Sequence, residues 1–140
     1  MLFNIFLTPS FIILFFLNPL KNIQKEYVEV TINEKTYKME VANTKFKQAV
    51  GLMFRDFGKS GGMVFPYSKA SKPGFYNKNV KFPLRIYFVT KDMEIKSTFV
   101  MQKNSFKNYF PSSPINYVVE VPLKGDLSND PGENPKIVLK

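Results

Sequence analysis

Two-residue alternation is the feature that most limits what this chain can become. From Glu26 onward, Val28, Val30 and Ile32 alternate with Glu29 and Thr31, and Tyr37, Met39 and Val41 alternate with Lys38 and Glu40. A strand sends successive side chains to opposite faces, so this pattern predicts half-buried strands rather than a helix. Between them Asn33-Glu34-Lys35 supplies the turn, because Asn tolerates the left-handed backbone that a tight hairpin needs.

Strands dominate the remainder. Met63 to Phe65 is apolar and β-prone, and Pro66 ends that strand or confines it to an edge. In LRIYFVT, Leu84, Ile86 and Phe88 share one face and Arg85, Tyr87 and Val89 the other; Lys91-Asp92 then turns the chain into Glu94 to Val100 as a second hairpin. A guanidinium cannot be buried alone, so Arg85 is expected either beside an acidic partner or, preferably, exposed next to the Lys78-Asn79 loop. Asn, Ser and Pro mark Met101 to Pro114 as loop, followed by strands at Tyr117 to Val121 and Ile137 to Leu139. One short helix is expected, capped by Thr44, running through Val50 and stopped by Gly51. Lys45 and Lys47 oppose its dipole, so packing by Phe46, Ala49 and Val50 would have to hold it.

With 140 residues and 44% hydrophobic content the chain can bury one core, not two. The fold class that follows is mainly β, a compact single-domain sandwich or partly open barrel with one short helix. The expected division is an apolar N-terminal signal or anchor segment over residues 1–24 and a β-rich domain over residues 25–140. FIILFFL, Phe11 to Leu17, has the length of a signal-peptide apolar core, which points to an exported or membrane-anchored protein with an N-terminal membrane contact. No Lys or Arg precedes that run and no small-residue cleavage site follows it, so a peripheral apolar leader is the alternative.

Cysteine and histidine are absent, which removes disulfides, thiol nucleophiles and the commonest transition-metal ligands. No metal, no cofactor and no catalytic residue is assigned on these grounds. The formal charge of +9 makes attraction to phosphates or anionic headgroups available, yet no groove-reading or base-stacking motif accompanies it, and nucleic acid is not the expected partner.

Four ordered blocks carry a more specific signal: VANTKFKQAVGLMFR, GGMVF, FYNKNVKFPLRIYF and YFPSSPINYVVEV. Together, from about Val41 to Gly125, they resemble the domain-of-unknown-function 192 family. That resemblance implies a compact, mainly β domain, often behind an export signal, with no established biochemical activity. The chain departs from the family pattern at three places, one of them Asn134-Pro135 where Gly-Asp usually precedes the last strand. Tyr76-Asn77-Lys78-Asn79-Val80 stands where the family has an aromatic followed by Met-Lys-Asn-Thr, and Pro83-Leu84-Arg85 stands where Pro-Leu-Asp is usual.

Candidate binding residues are Arg55, Tyr76, Lys78, Asn79, Arg85, Ser112 (with its neighbour Ser113) and Glu120. Arg55 has the planar donor fork for an anion but more often ties loops together. Lys78 and Asn79 sit between Phe75-Tyr76 and Phe82-Pro83, as a polar rim between rings or as a plain turn. Glu120 interrupts an apolar strand and is either an outward residue or a buried acceptor that needs a cation. The expected function is a non-catalytic envelope or extracytoplasmic binding module whose aromatic and basic rim meets an anionic, glycan or protein partner. Its alternative is a small enzyme using Arg55, Lys78 and Glu120 as electrostatic or acid/base groups.

Overall fold

A computed structural model describes residues 26–140, so the expected leader over residues 1–24 lies outside the described residues. Among the described residues seven strands follow one another as β1 (Tyr27–Ile32), β2 (Lys35–Val41), β3 (Met63–Ser71), β4 (Leu84–Val89), β5 (Ile95–Met101), β6 (Ile115–Pro122) and β7 (Ile137–Leu139). One helix, α1 (Lys45–Val50), stands between β2 and β3. The strands form one sheet in the order β5-β4-β6-β3-β2-β1-β7, curled into a half-barrel, so the mainly β, single-domain fold read from the sequence is the one found.

The alternation in β1 and β2 does what it predicts. Val28, Val30 and Ile32 are buried while Tyr27 and Glu29 are exposed, and the strands pair from Tyr27 opposite Glu40 to Ile32 opposite Lys35. That register leaves a two-residue turn in which both Asn33 (φ 49°) and Glu34 (φ 69°) are left-handed. Such a turn matches the right-handed twist of the strands it joins. β2 then pairs in parallel with β3, and a parallel neighbour cannot be reached by a tight turn. Residues 42–62, α1 included, make that crossover. Pro66 lies just beyond the two-residue parallel contact, where β3 keeps only β6 as a partner, so the missing N–H costs no ladder bond on the open side.

Both faces of the sheet are buried. One core contains Val30, Met39, Tyr87, Val119 and Ile137; the other contains Leu52, Phe65, Ile86, Phe88 and Val118. β4 lies in both and is buried at all six positions, so the face carrying Arg85, Tyr87 and Val89 is covered too. Edge-on rings stack across the second core, Phe65 to Phe75 at 4.9 Å, Phe75 to Phe88 at 5.9 Å and Phe88 to Phe99 at 6.3 Å between centroids. Pairs of this kind add about 0.5–1.5 kcal/mol each beyond area burial. The two pairs made by Phe75 fasten its loop over the sheet, and a bridge between Phe75 and Tyr109 joins that loop to the one after β5.

The helix corrects one expectation. Thr44 caps it, its hydroxyl accepting from the Lys47 N–H at 3.1 Å, and Gly51 stops it at φ 52° with its N–H on the Lys47 carbonyl. Phe46, however, is 75% exposed, Ala49 is exposed, and no helical residue is buried. Caps and the tethers on either side hold this turn instead: Gln48 Nε2 donates to the Ala42 carbonyl at 3.2 Å, and Leu52, just after it, is fully buried.

Candidate functional site

β6 runs through the middle of the sheet, and Glu120 sits on it opposite Ile86 of β4 and Met63 of β3. Pairing with two strands fixes its backbone, and alternation sends its side chain to the aromatic core. Gly62 lets the crossover approach here: a Cβ at that position would strike the Glu120 carbonyl oxygen, and its φ of 127° suits glycine alone. Glu120 is 4% exposed, and no donor or cation among the described residues pairs with its carboxyl. Burial pushes the carboxyl up to about 8.

The Glu120 side chain borders a cleft of about 110 Å³ between α1 and the segment Gly74 to Asn77. Its walls are the helix end from Gln48 to Met53, Phe65, Tyr67, Phe75 and Tyr76, with Val80 and Asn77. Asn77 is fully buried; its Nδ2 donates to the carbonyls of Phe82 (3.1 Å) and Gln102 (2.9 Å), while its Oδ1 has no partner. Burial, with the neighbouring Glu120 charge, raises the Tyr67 hydroxyl to about 12. The chain carries nine excess positive charges, yet among the described residues Glu120 is the one acidic or basic side chain on these walls.

Arg85 is on the other face, and the expectation of an exposed Arg85 beside the Lys78-Asn79 loop is corrected. It is 6% exposed and bound side-on by Asp130, with Nε to Oδ1 at 2.9 Å and Nη2 to Oδ2 at 2.5 Å. Thr98 Oγ1 accepts from Nη1 at 3.4 Å, and the Tyr87 hydroxyl donates to the Gly132 carbonyl at 2.6 Å. The segment between β6 and β7 thus closes over the side of the sheet that the sequence left open. Arg85's hydrogen bond holds the Asp130 carboxyl below the ordinary carboxylate value against its partial burial.

The other sequence candidates are scattered. Arg55 reaches Glu40 of β2 at 2.6 Å and so ties the crossover to the sheet. Lys78 stands over the exposed Phe106 ring, 5.5 Å from its centroid. Asn79 turns the chain at φ 59°; its N–H donates to Asn104 Oδ1 at 3.1 Å, and its carbonyl accepts from the Phe54 N–H. Ser112 is exposed and pins its loop to β5, its N–H donating to Ser97 Oγ (2.8 Å) and its hydroxyl to the Lys96 carbonyl (2.9 Å). Ser113 Oγ is buried without a partner. The cleft therefore brings Glu120 and Tyr76 together but not Arg55, Lys78, Asn79, Arg85 or Ser112. It adds Asn77 and Tyr67, which the sequence did not single out as site residues. Asn77 had one signal, a polar residue where the family resemblance implies Met; Tyr67 had none.

Among the described residues, no group of three or more acidic side chains could hold a metal ion, and no helix is long and apolar enough to cross a membrane. The family model for DUF192, described as an uncharacterised ACR, matches residues 28–126, and the chain belongs to that family. Two solved structures share the fold. A protein of unknown function from Novosphingobium aromaticivorans is 27% identical with a TM-score of 0.67, the alignment covering 81% of this chain and 84% of that one. A candidate transcription regulator from Sinorhizobium meliloti is 21% identical with a TM-score of 0.66, covering 81% and 92%. Comparison with functionally curated proteins gives no match.

Proposed function

We propose that this protein is a non-catalytic binding module of the cell envelope whose ligand enters the cleft between α1 and Gly74–Asn77. The observation that carries this reading is the Glu120 carboxyl, buried, without a partner and bordering that space. Removing a carboxyl from water without a partner costs several kcal/mol, which packing alone would not require. Nothing in the cleft forms an acid/base pair or an activated nucleophile with it, which argues for binding over turnover. The apolar run Phe11 to Leu17 supports the envelope location, which fractionation of cells producing the full chain would check.

A cleft of about 110 Å³ is well below the roughly 300–1,000 Å³ of sites that enclose drug-sized molecules. It accepts one end of a larger ligand. Titrating short peptides and small sugars, charged and neutral, into the labelled full-length chain should move the amide resonances of Gly51, Gly74, Phe75 and Asn77 together, with the ligands recovered unchanged. Shifts that miss this group of residues, or chemical conversion of a ligand, would overturn the reading.

A further inference from the structure

We infer that the group taken into the cleft is a primary ammonium on a short apolar stem, paired with the Glu120 carboxylate. This rests on the binding-module reading above and names the chemistry of its ligand. Asn77 Nδ2 spends both of its N–H groups on carbonyls, and Gln48 Nε2 spends one of its two on the Ala42 carbonyl. The Glu120 carboxyl, by contrast, meets no donor among the described residues. Only the tyrosine hydroxyls can act either way. A ligand that satisfies this wall must therefore bring hydrogen-bond donors and positive charge, and an ammonium brings three donors. A hard metal cation suits the site poorly, since one carboxylate falls far short of the six or more oxygens such ions collect. Phe65, Phe75 and Tyr76 supply apolar walls for the stem, and ring faces attract cations.

Pairing also moves a proton. The buried acid, near 8 when empty, holds its proton at pH 7; an ammonium beside it favours the carboxylate, and the displaced proton leaves to solvent. Tyr67 and Tyr76 are the other titratable groups on the walls, and no Lys or Arg faces Glu120 from α1, β3, β4 or the Gly74–Asn77 segment. Affinity for an ammonium should thus rise with pH, by up to about tenfold per unit below 8, and level off above it. Alkylammonium ligands keep their own charge until about pH 10.

The probes are n-butylammonium and its uncharged isostere 1-butanol, titrated calorimetrically into the full-length chain and into Glu120→Gln between pH 6 and 9. Butylammonium should bind at least tenfold more tightly than butanol at pH 8, with the pH slope described and release of up to one proton at pH 7. Glu120→Gln should lose both the preference and the slope while binding butanol as before, which shows the variant to be folded. Nα-acetyl-lysinamide and alanyl-alaninamide then separate a side-chain ammonium from a chain terminus; tighter binding of either supports the inference and names the source. Equal binding of butanol and butylammonium, or no pH slope, overturns the ammonium and leaves the binding module standing. Absence of binding by every probe overturns both.

Discussion

Arg85 and Glu120 occupy neighbouring steps of one strand pair, Arg85 opposite Val121 and Glu120 opposite Ile86, and they point to opposite faces of the sheet. Both are nearly inaccessible to water. Around Arg85 every donor direction that matters is answered: two bonds to Asp130, one to Thr98, with Tyr87 bonded to Gly132 beside it. Among the described residues nothing answers Glu120. A chain that can satisfy a buried guanidinium through a segment 45 residues away is not short of means to pair a buried charge. The contrast separates a charge that fastens the fold from an acid held available, and four substitutions measure how far that separation goes.

The largest effect is expected at Arg85. Removing one member of a buried ion pair leaves the other charge stranded, and such losses run to about 3–5 kcal/mol. Arg85→Ala should lower stability by that order in denaturant titrations, and Asp130→Ala by a similar amount, because the segment over the first core loses its anchor. The pair's contribution through Asp130 has a sign that can be checked. A carboxylate held below its ordinary 3.8 stabilises fully above that value and loses its contribution as pH falls through the lowered native value. A loss under about 1 kcal/mol would mean that the first core holds without its ion pair, and the contrast with Glu120 would fall.

Glu120 should respond in the opposite direction. Its native value of about 8 lies above the ordinary 4.5, so the folded protein keeps a proton that the unfolded chain gives up. Stability is then greatest below 4.5, falls as pH rises between 4.5 and 8, and is flat above. Glu120→Gln removes that slope and should stabilise the protein at pH 8 by a few kcal/mol, with little change at pH 4. Melting curves at the two pH values give the answer. An identical pH slope in the variant would place the ionisation elsewhere.

How much of this could be read from the sequence differs between the two faces in the same way. Alternation in β1 and β2 is visible because one side of each strand meets water. In β4 the two side-chain sets were legible, but not that both are covered; Arg85 argued for a wet face, and only the Asp130 segment, distant in sequence, makes a dry one affordable. The caps of α1 were legible because Thr44 and Gly51 act within four residues of where they stand. Its packing was not, since a six-residue helix leaves no stripe from which to read a face. Glu120 was visibly out of place in an apolar strand. Its cleft was not, because α1, β3, the Gly74–Asn77 segment and β6 meet there from four separate parts of the chain.

Arg55 provides the smallest effect and a midpoint on the same scale. Its guanidinium meets Glu40 at 2.6 Å, as Arg85 meets Asp130, but the Arg55 side chain is 36% exposed and the Glu40 side chain 15%. Lys47 stands 3.6 Å from the same carboxylate and would keep part of its neutralisation after Arg55 is gone. Burial alone would raise Glu40; the hydrogen bond and charge of Arg55, with help from Lys47, outweigh it and leave the carboxyl below its ordinary 4.5. Water screens a pair this open, so Arg55→Ala should cost about 1 kcal/mol or less at pH 7. Because the lowered carboxylate contributes only while ionised, that cost should shrink as pH falls below 4.5. Chemical denaturation of wild type and variant at pH 7 and pH 3 tests both statements. A cost as large as that of Arg85→Ala would show that exposure does not grade these pairs, and the unpaired state of Glu120 would then need another explanation than a site kept open.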